Sequence, residues 1–204
     1  LYVPPVFKLE DPVAIAELMR RNPFATMVST IDGEPFATHL PILVEDGGRR
    51  LAGHVSRGNR HWNSFDGETT ALMIFHGAHA YVSPRLYESS PNVPTWNYAS
   101  VHAYGRPVKV ADPEEVLKHV LEVVHTFDSR LHETTPSSFD DVYLRKTLPG
   151  LVAFRMEVER VEAKVKLNQN KSAVDREAVT RAFLDSEDAI EREVGRLMAE
   201  LAAR

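Results

Sequence analysis

A series of β-rich runs punctuated by Asp-Gly turns narrows the fold of this chain more than any other feature. Phe24-Ala25-Thr26-Met27-Val28-Ser29-Thr30-Ile31 holds residues that suit a pleated, half-buried surface, and Asp32-Gly33 follows it. Asp-Gly accepts positive φ at both centres of a two-residue hairpin loop, so the run 36–44 returns beside the first. Asp46-Gly47-Gly48 turns the chain again before a third strand at 51–56. Residues 69–76 are almost continuously apolar, as in a buried strand, and 78–83 reads as a fifth. A long strand is expected at 95–110, bent at Gly105-Arg106-Pro107, and a last, alternating one at 151–165. Repeated strands with these turn signals predict a barrel or a sandwich.

Helices are signalled by their caps. Asp11-Pro12 starts one, with Ile15, Leu18 and Met19 on one face, and Asn22-Pro23 stops it. Asp112-Pro113-Glu114-Glu115 starts another, whose face carries Val116, Leu117, Val120, Leu121 and Val124. Ser172 and Asp175 resemble a capping box with Asp in place of Glu. At 187–203, Ile190, Val194, Leu197, Met198 and Leu201 recur at helical spacing. The expected class is therefore α+β, mainly β, with residues 1–166 a barrel with inserted helices and 167–204 a helical extension packed on it. The opening segment 1–9 reads as extended, with Tyr2 and Phe7 anchoring it in a surface groove, and 83–94 is the longest irregular stretch.

Composition removes several chemistries. Cysteine is absent, which excludes disulfides, thiolate ligands and a thiol nucleophile. Nine histidines invite a metal reading, but no HExxH pair occurs and no metal is expected. GxSxG, GxGxxG and the P-loop pattern are also missing. A formal net charge of -5 argues against broad nucleic-acid binding. No apolar run reaches the roughly 20 residues of a spanning helix, so the expectation is a soluble, cytoplasmic protein with no membrane partner.

Three segments carry polar chemistry beyond the needs of a core. Gly53-His54-Val55-Ser56-Arg57-Gly58-Asn59-Arg60-His61-Trp62 leaves a strand with donors and guanidinium groups suited to phosphate, or else forms a solvated basic turn. Val93-Pro94-Thr95-Trp96-Asn97-Tyr98 offers flat aromatic bodies with polar tips, or a half-buried aromatic cluster. Lys166-Leu167-Asn168-Gln169-Asn170-Lys171 offers donors for carbonyls and phosphate oxygens, or connects a strand to a helix cap.

Taken in order with Thr38-His39-Leu40-Pro41 and His79-Ala80-Tyr81-Val82-Ser83-Pro84, these segments resemble the PaiB-like family of FMN-binding negative transcriptional regulators. The resemblance implies the split β-barrel related to pyridoxamine-phosphate oxidase, a homodimer, and FMN at the subunit interface. It places backbone groups of Thr38, His39, Leu40 and Pro41 along the isoalloxazine, and His54, Ser56, Arg57 and Asn59 near the ribityl phosphate. Trp96, Asn97 and Tyr98 would approach the ring, from the same subunit or the other, and Gln169, Asn170 and Lys171 would complete the pocket edge. The chain departs from the family at Ser56-Arg57-Gly58, at Arg60-His61, at Leu86, and at Lys171, where a lysine in place of arginine loses bidentate geometry. DNA is a further partner implied by the family, with Arg145, Lys146, Arg176, Arg181, Arg192 and Arg196 as candidate contacts. Two other activities fit the same scaffold: an FMN-dependent oxidoreductase using His54, His102 or Tyr98 as proton donor, and a haem protein ligated through His39 or His102.

Overall fold

The computed structural model describes residues 1–135 and 141–203. Seven strands form one sheet in the order β2-β1-β5-β6-β7-β4-β3. They are β1 (Phe24–Ile31), β2 (Glu34–Pro41), β3 (Leu43–Glu45), β4 (Arg50–Ser56), β5 (Ala71–Val82), β6 (Thr95–Lys109) and β7 (Leu151–Lys166). Among the described residues six α-helices accompany them: α1 (Pro12–Arg21), α2 (Pro113–Phe127), α3 (Leu131–Thr134), α4 (Asp141–Thr147), α5 (Ala173–Leu184) and α6 (Ala189–Ala202). Among the described residues no helix is long and apolar enough to cross a membrane.

The first hairpin forms as its turn dictates. Asp32 and Gly33 have φ of 54° and 80°, and β1 pairs antiparallel with β2 from Phe24↔Pro41 to Ile31↔Glu34. The second run is shorter than 36–44: it breaks at Ile42, whose N–H bonds Pro23 and whose side chain is buried. The runs 69–76 and 78–83 prove to be one strand, β5. Its buried residues are Ala71, Met73, Phe75 and Gly77, then Ala80 and Val82, so the inward face changes parity within it. That change makes one strand look like two in sequence. Strand β6 runs unbroken through Gly105 and Pro107, and a Cβ at Gly105 would collide with the Glu157 carbonyl of β7. The glycine there permits close strand approach rather than a bend.

The chain divides into two compact units, and strands β5, β6 and β7 contribute residues to both. One comprises 22–75 and 103–161 and the other 1–21, 76–102 and 162–204. In the first, Met27, Leu51, Met73, Phe75, Phe154 and Met156 are fully buried. Phe154 packs tilted on Phe65, at 4.6 Å between ring centres, and lies 3.0 Å from where a Cβ on Gly53 would sit. In the second, Ala80, Val82, Leu167, Val179, Phe183, Val194 and Met198 form a core that joins β5 to α5 and α6. Of the two expected aromatic anchors Phe7 is buried, at 8% exposed, whereas Tyr2 is 83% exposed, so the expectation for Tyr2 is corrected. Backbone pairing of Leu9 with Ala163, rather than a groove for Tyr2, ties the opening segment down.

Candidate functional site

In the unit 22–75 with 103–161, the expected phosphate region is built on β2, β4 and the turn that follows β4. Asn59 caps a short 3-10 helix (Arg60–Ser64) by accepting from His61 N–H at 3.0 Å. Its amide nitrogen donates to Thr38 Oγ1 at 3.1 Å, and His61 Nδ1 lies 2.8 Å from the same oxygen. Thr38 and Asn59 thus lock the turn onto β2. His61 is fully buried, edge-on to Phe36 at 5.2 Å, and burial pushes its pKa down to about 4. Its Nε2 has no protein partner.

His39 is exposed, with Nδ1 2.9 Å from Thr26 Oγ1 and its ring stacked on Phe24. Leu40 is a core residue and Pro41 is half-buried, so that pair offers mainly backbone. Strand β2 ends the strand order, and an edge strand leaves alternate backbone groups without a strand partner. Ser56 is exposed at the end of β4. Arg57 donates through Nε to the Pro149 carbonyl and through Nη2 to the Leu151 carbonyl at 3.2 Å. With Lys109 and Arg145 it borders a cavity of about 340 Å³. Arg145 pairs with Glu114.

His54 faces a residue that the sequence reading passed over. Its Nδ1 lies 3.1 Å from His119 Nε2, and the rings meet edge to face at 5.3 Å. Burial lowers both pKa values; for His119, burial and then the His54 and Arg155 charges together bring it down to about 4. The available signal was a histidine three residues after Val116 on the apolar stripe of α2.

In the unit 1–21, 76–102 and 162–204, strand alternation divides the triplet 96–98. Trp96 (52% exposed) and Tyr98 share one face of β6; Asn97 points to the other and is fully buried. Its amide donates to Met198 Sδ at 3.4 Å and its oxygen has no protein partner, so its side chain is not offered beside Trp96. Tyr81 and His79 of β5 flank the Trp96 indole, at 5.9 Å and 6.3 Å between centroids. Sequence reading found the 79–84 segment but not this role; outward residues 79 and 81, alternating with buried Ala80 and Val82, were the signal.

The segment 166–171 is held by its own backbone. Gln169 accepts from Leu167 N–H at 2.6 Å and donates to the Val165 carbonyl, so both ends of its amide are occupied locally. Asn168 takes the left-handed conformation, φ 64°, and Asn170 is exposed. Lys171 donates to Asn92 Oδ1 and lies over the Tyr87 ring at 4.8 Å. Lys166 donates to Thr95 Oγ1 and, at 3.0 Å, to the Trp96 carbonyl. Burial lowers its pKa, and the charges of Lys164 and Lys171 lower it further. Asp175 does not close a reciprocal capping box. Ser172 Oγ accepts from its N–H at 3.2 Å, but its carboxylate turns to Ser89 N–H at 2.9 Å and to the hydroxyls of Ser89 and Ser172. Those donors hold it at about 2.

In the unit 1–21, 76–102 and 162–204, a flat indole open to solvent and cations answered by neutral acceptors fit FMN. The fold is that of flavin-binding split barrels. Two solved structures share it: the flavocytochrome Anf3 from Azotobacter vinelandii (TM-score 0.64, 16% identity, 79% of this chain and 69% of that one) and an FAD and heme binding protein from Mycobacterium smegmatis (TM-score 0.60, 17% identity, 81% and 76%). Residues 1–160 match the family described as "Putative FMN-binding domain". "Protease synthase and sporulation protein PAI 2" of Bacillus subtilis (strain 168) is 32% identical over 203 residues, which cover 97% of this chain and 96% of that protein. The chain belongs to this PaiB-like FMN-binding family.

Proposed function

We propose that this protein binds FMN as a homodimer, with the flavin at the subunit interface, and acts as a PaiB-type negative regulator of transcription. The observation that carries the flavin part is the exposed face of Trp96, Tyr81 and His79 with Lys166 bonded at the Trp96 backbone. A bound flavin supplies redox chemistry at its ring; the chain's residues bind and orient it and exclude water. Exposed Phe24, Val108, Trp96 and Tyr81 are apolar surface that a second copy would cover. The DNA part rests on family membership. Of the cations proposed for DNA, Arg176 and Arg192 donate to backbone carbonyls, and Arg145 and Arg196 pair with glutamates.

Flavin titration with light scattering tests this reading. FMN bound at one per subunit in a dimer supports it, and a folded monomer that leaves flavin fluorescence unchanged refutes it. A duplex shift that persists at physiological salt would support the regulatory part. One observation favours haem as a second reading: His39 is exposed with Nδ1 held by Thr26, the arrangement that fixes an imidazole for ligation through Nε2. A Soret band after haem addition, absent in His39→Ala, would support it.

A further inference from the structure

Helices α5 and α6 enclose a cavity that the FMN reading does not use. At one end the two helices are pinned together. A Cβ on Gly195 would sit 2.9 Å from the Leu184 nitrogen, and Phe183, Val194 and Met198 are buried in one core with Val82 of β5. Toward the start of α5 and the end of α6 a space of about 900 Å³ remains. Small-molecule sites span roughly 300–1,000 Å³. Short side chains leave it open, since α6 presents Ala199 and Ala202 there. Leu167, Met198 and Leu201 give it an apolar lining, and the first two are buried. Met198 also accepts a hydrogen bond from Asn97, which points away from the face of β6 that carries Trp96. The match to the FMN-binding family covers residues 1–160, and every residue of this lining lies beyond it.

The charge comes from α5. Asp175, Val179 and Phe183 are its buried stripe, and Arg176 and Thr180 follow them about 100° round the helix, so Arg176 borders the cavity rather than the core. Arg176 gives one Nη to the Lys171 carbonyl at 3.0 Å. Arg181 and Glu177 complete the charged rim, and among the described residues neither side chain forms an ion pair or a hydrogen bond. Two guanidinium groups against one carboxylate leave a single positive charge in excess beside apolar surface. A guanidinium fork matches a carboxylate in bidentate geometry.

We propose that this cavity binds a small amphipathic monocarboxylate, with its apolar body on Leu167, Met198 and Leu201 and its carboxylate on Arg176 and Arg181. The inference does not rest on the FMN reading. Calorimetric titration with sodium decanoate, decanol and decylammonium chloride tests it on the parent, on Arg181→Gln and on Ala202→Phe, which fills the cavity from an exposed position. Decanoate should bind the parent at one per chain, at least about tenfold tighter than decanol or decylammonium. Arg181→Gln should weaken decanoate about tenfold and leave decanol unchanged. Ala202→Phe should lose both ligands and keep the parent's melting midpoint and its mass by light scattering. Absence of decanoate binding to the parent, equal affinity for decylammonium, or undiminished decanoate binding in either folded variant overturns the site. A changed mass in Ala202→Phe would also overturn it, by making the cavity a protein interface. If Ala202→Phe does not fold, Arg181→Gln decides alone, because it removes only an exposed cation.

Discussion

In the unit 22–75 with 103–161, candidate polar groups satisfy one another: Thr38 with Asn59 and His61, His54 with His119, Arg57 with two carbonyls. In the unit 1–21, 76–102 and 162–204, Lys164, Lys166 and Lys171 are satisfied only by neutral oxygens, and the rings of Trp96 and Tyr81 face outward. Both were read in sequence as ligand-binding segments. The difference teaches that a dense polar motif can be internal scaffolding, and that available charge is recognised by what its neighbours fail to supply. A buried imidazole within a satisfied network stiffens a fold, whereas an ammonium answered only by neutral acceptors keeps an uncompensated field.

The strongest way to break the comparison is through the packed unit. Phe154→Ala should cost about 3–5 kcal/mol, because a fully buried ring against Phe65 and Gly53 leaves a void. Urea unfolding would measure it, and a loss below about 1 kcal/mol would mean that the site collapses freely.

Acid comes next. His61 and His119 titrate at about 4 when folded and near 6.5 when unfolded, so the unfolded chain takes up protons first as pH falls. Their stabilisation is complete above about 6.5 and is lost as pH drops toward about 4, on the order of 3 kcal/mol for each. Denaturation at pH 7.5 and pH 5 should show the loss, and His119→Leu should flatten it; an equal slope in the variant would remove His119 from the account.

A smaller effect is expected at Trp96. Trp96→Ala should weaken FMN about tenfold, near 1.4 kcal/mol, without changing urea stability, because half of the indole is already in water. Equal affinity in the folded variant would take Trp96 out of the site. The most local effect belongs to Asp175→Ala, which removes both acceptor oxygens that tie Ser89 to α5. Faster protease cleavage at 87–94 with an unchanged melting midpoint is the expected outcome, and a large fall in the midpoint would make the tie global.

The legible parts were those in which neighbours along the chain decide. Asp32-Gly33 forms the hairpin because both residues tolerate positive φ, and Asp112 and Ser172 each cap a helix by accepting from a backbone N–H. The strand runs were found, but the parity change in β5 hid their continuity, since a period of two is visible only while one face stays buried. The candidate segments were legible as compositions: Trp96, Tyr98, Arg57 and the 166–171 run stand out as polar or aromatic beyond the needs of a core. Their roles were not. Alternation turned Asn97 inward, local backbone occupied Gln169, and His119 met His54 across 65 residues.

The sequence by itself determined the turns, the caps, the predominance of strands and the family. Those depend on φ preferences, on side chains reaching backbone two or three residues away, and on the order of short motifs. Tertiary structure alone decided which cations lack a counter-ion and which rings stay in solvent. Burial and pairing depend on atoms that arrive from distant strands, as Lys164 from β7 comes to rest between Tyr2 and Tyr98.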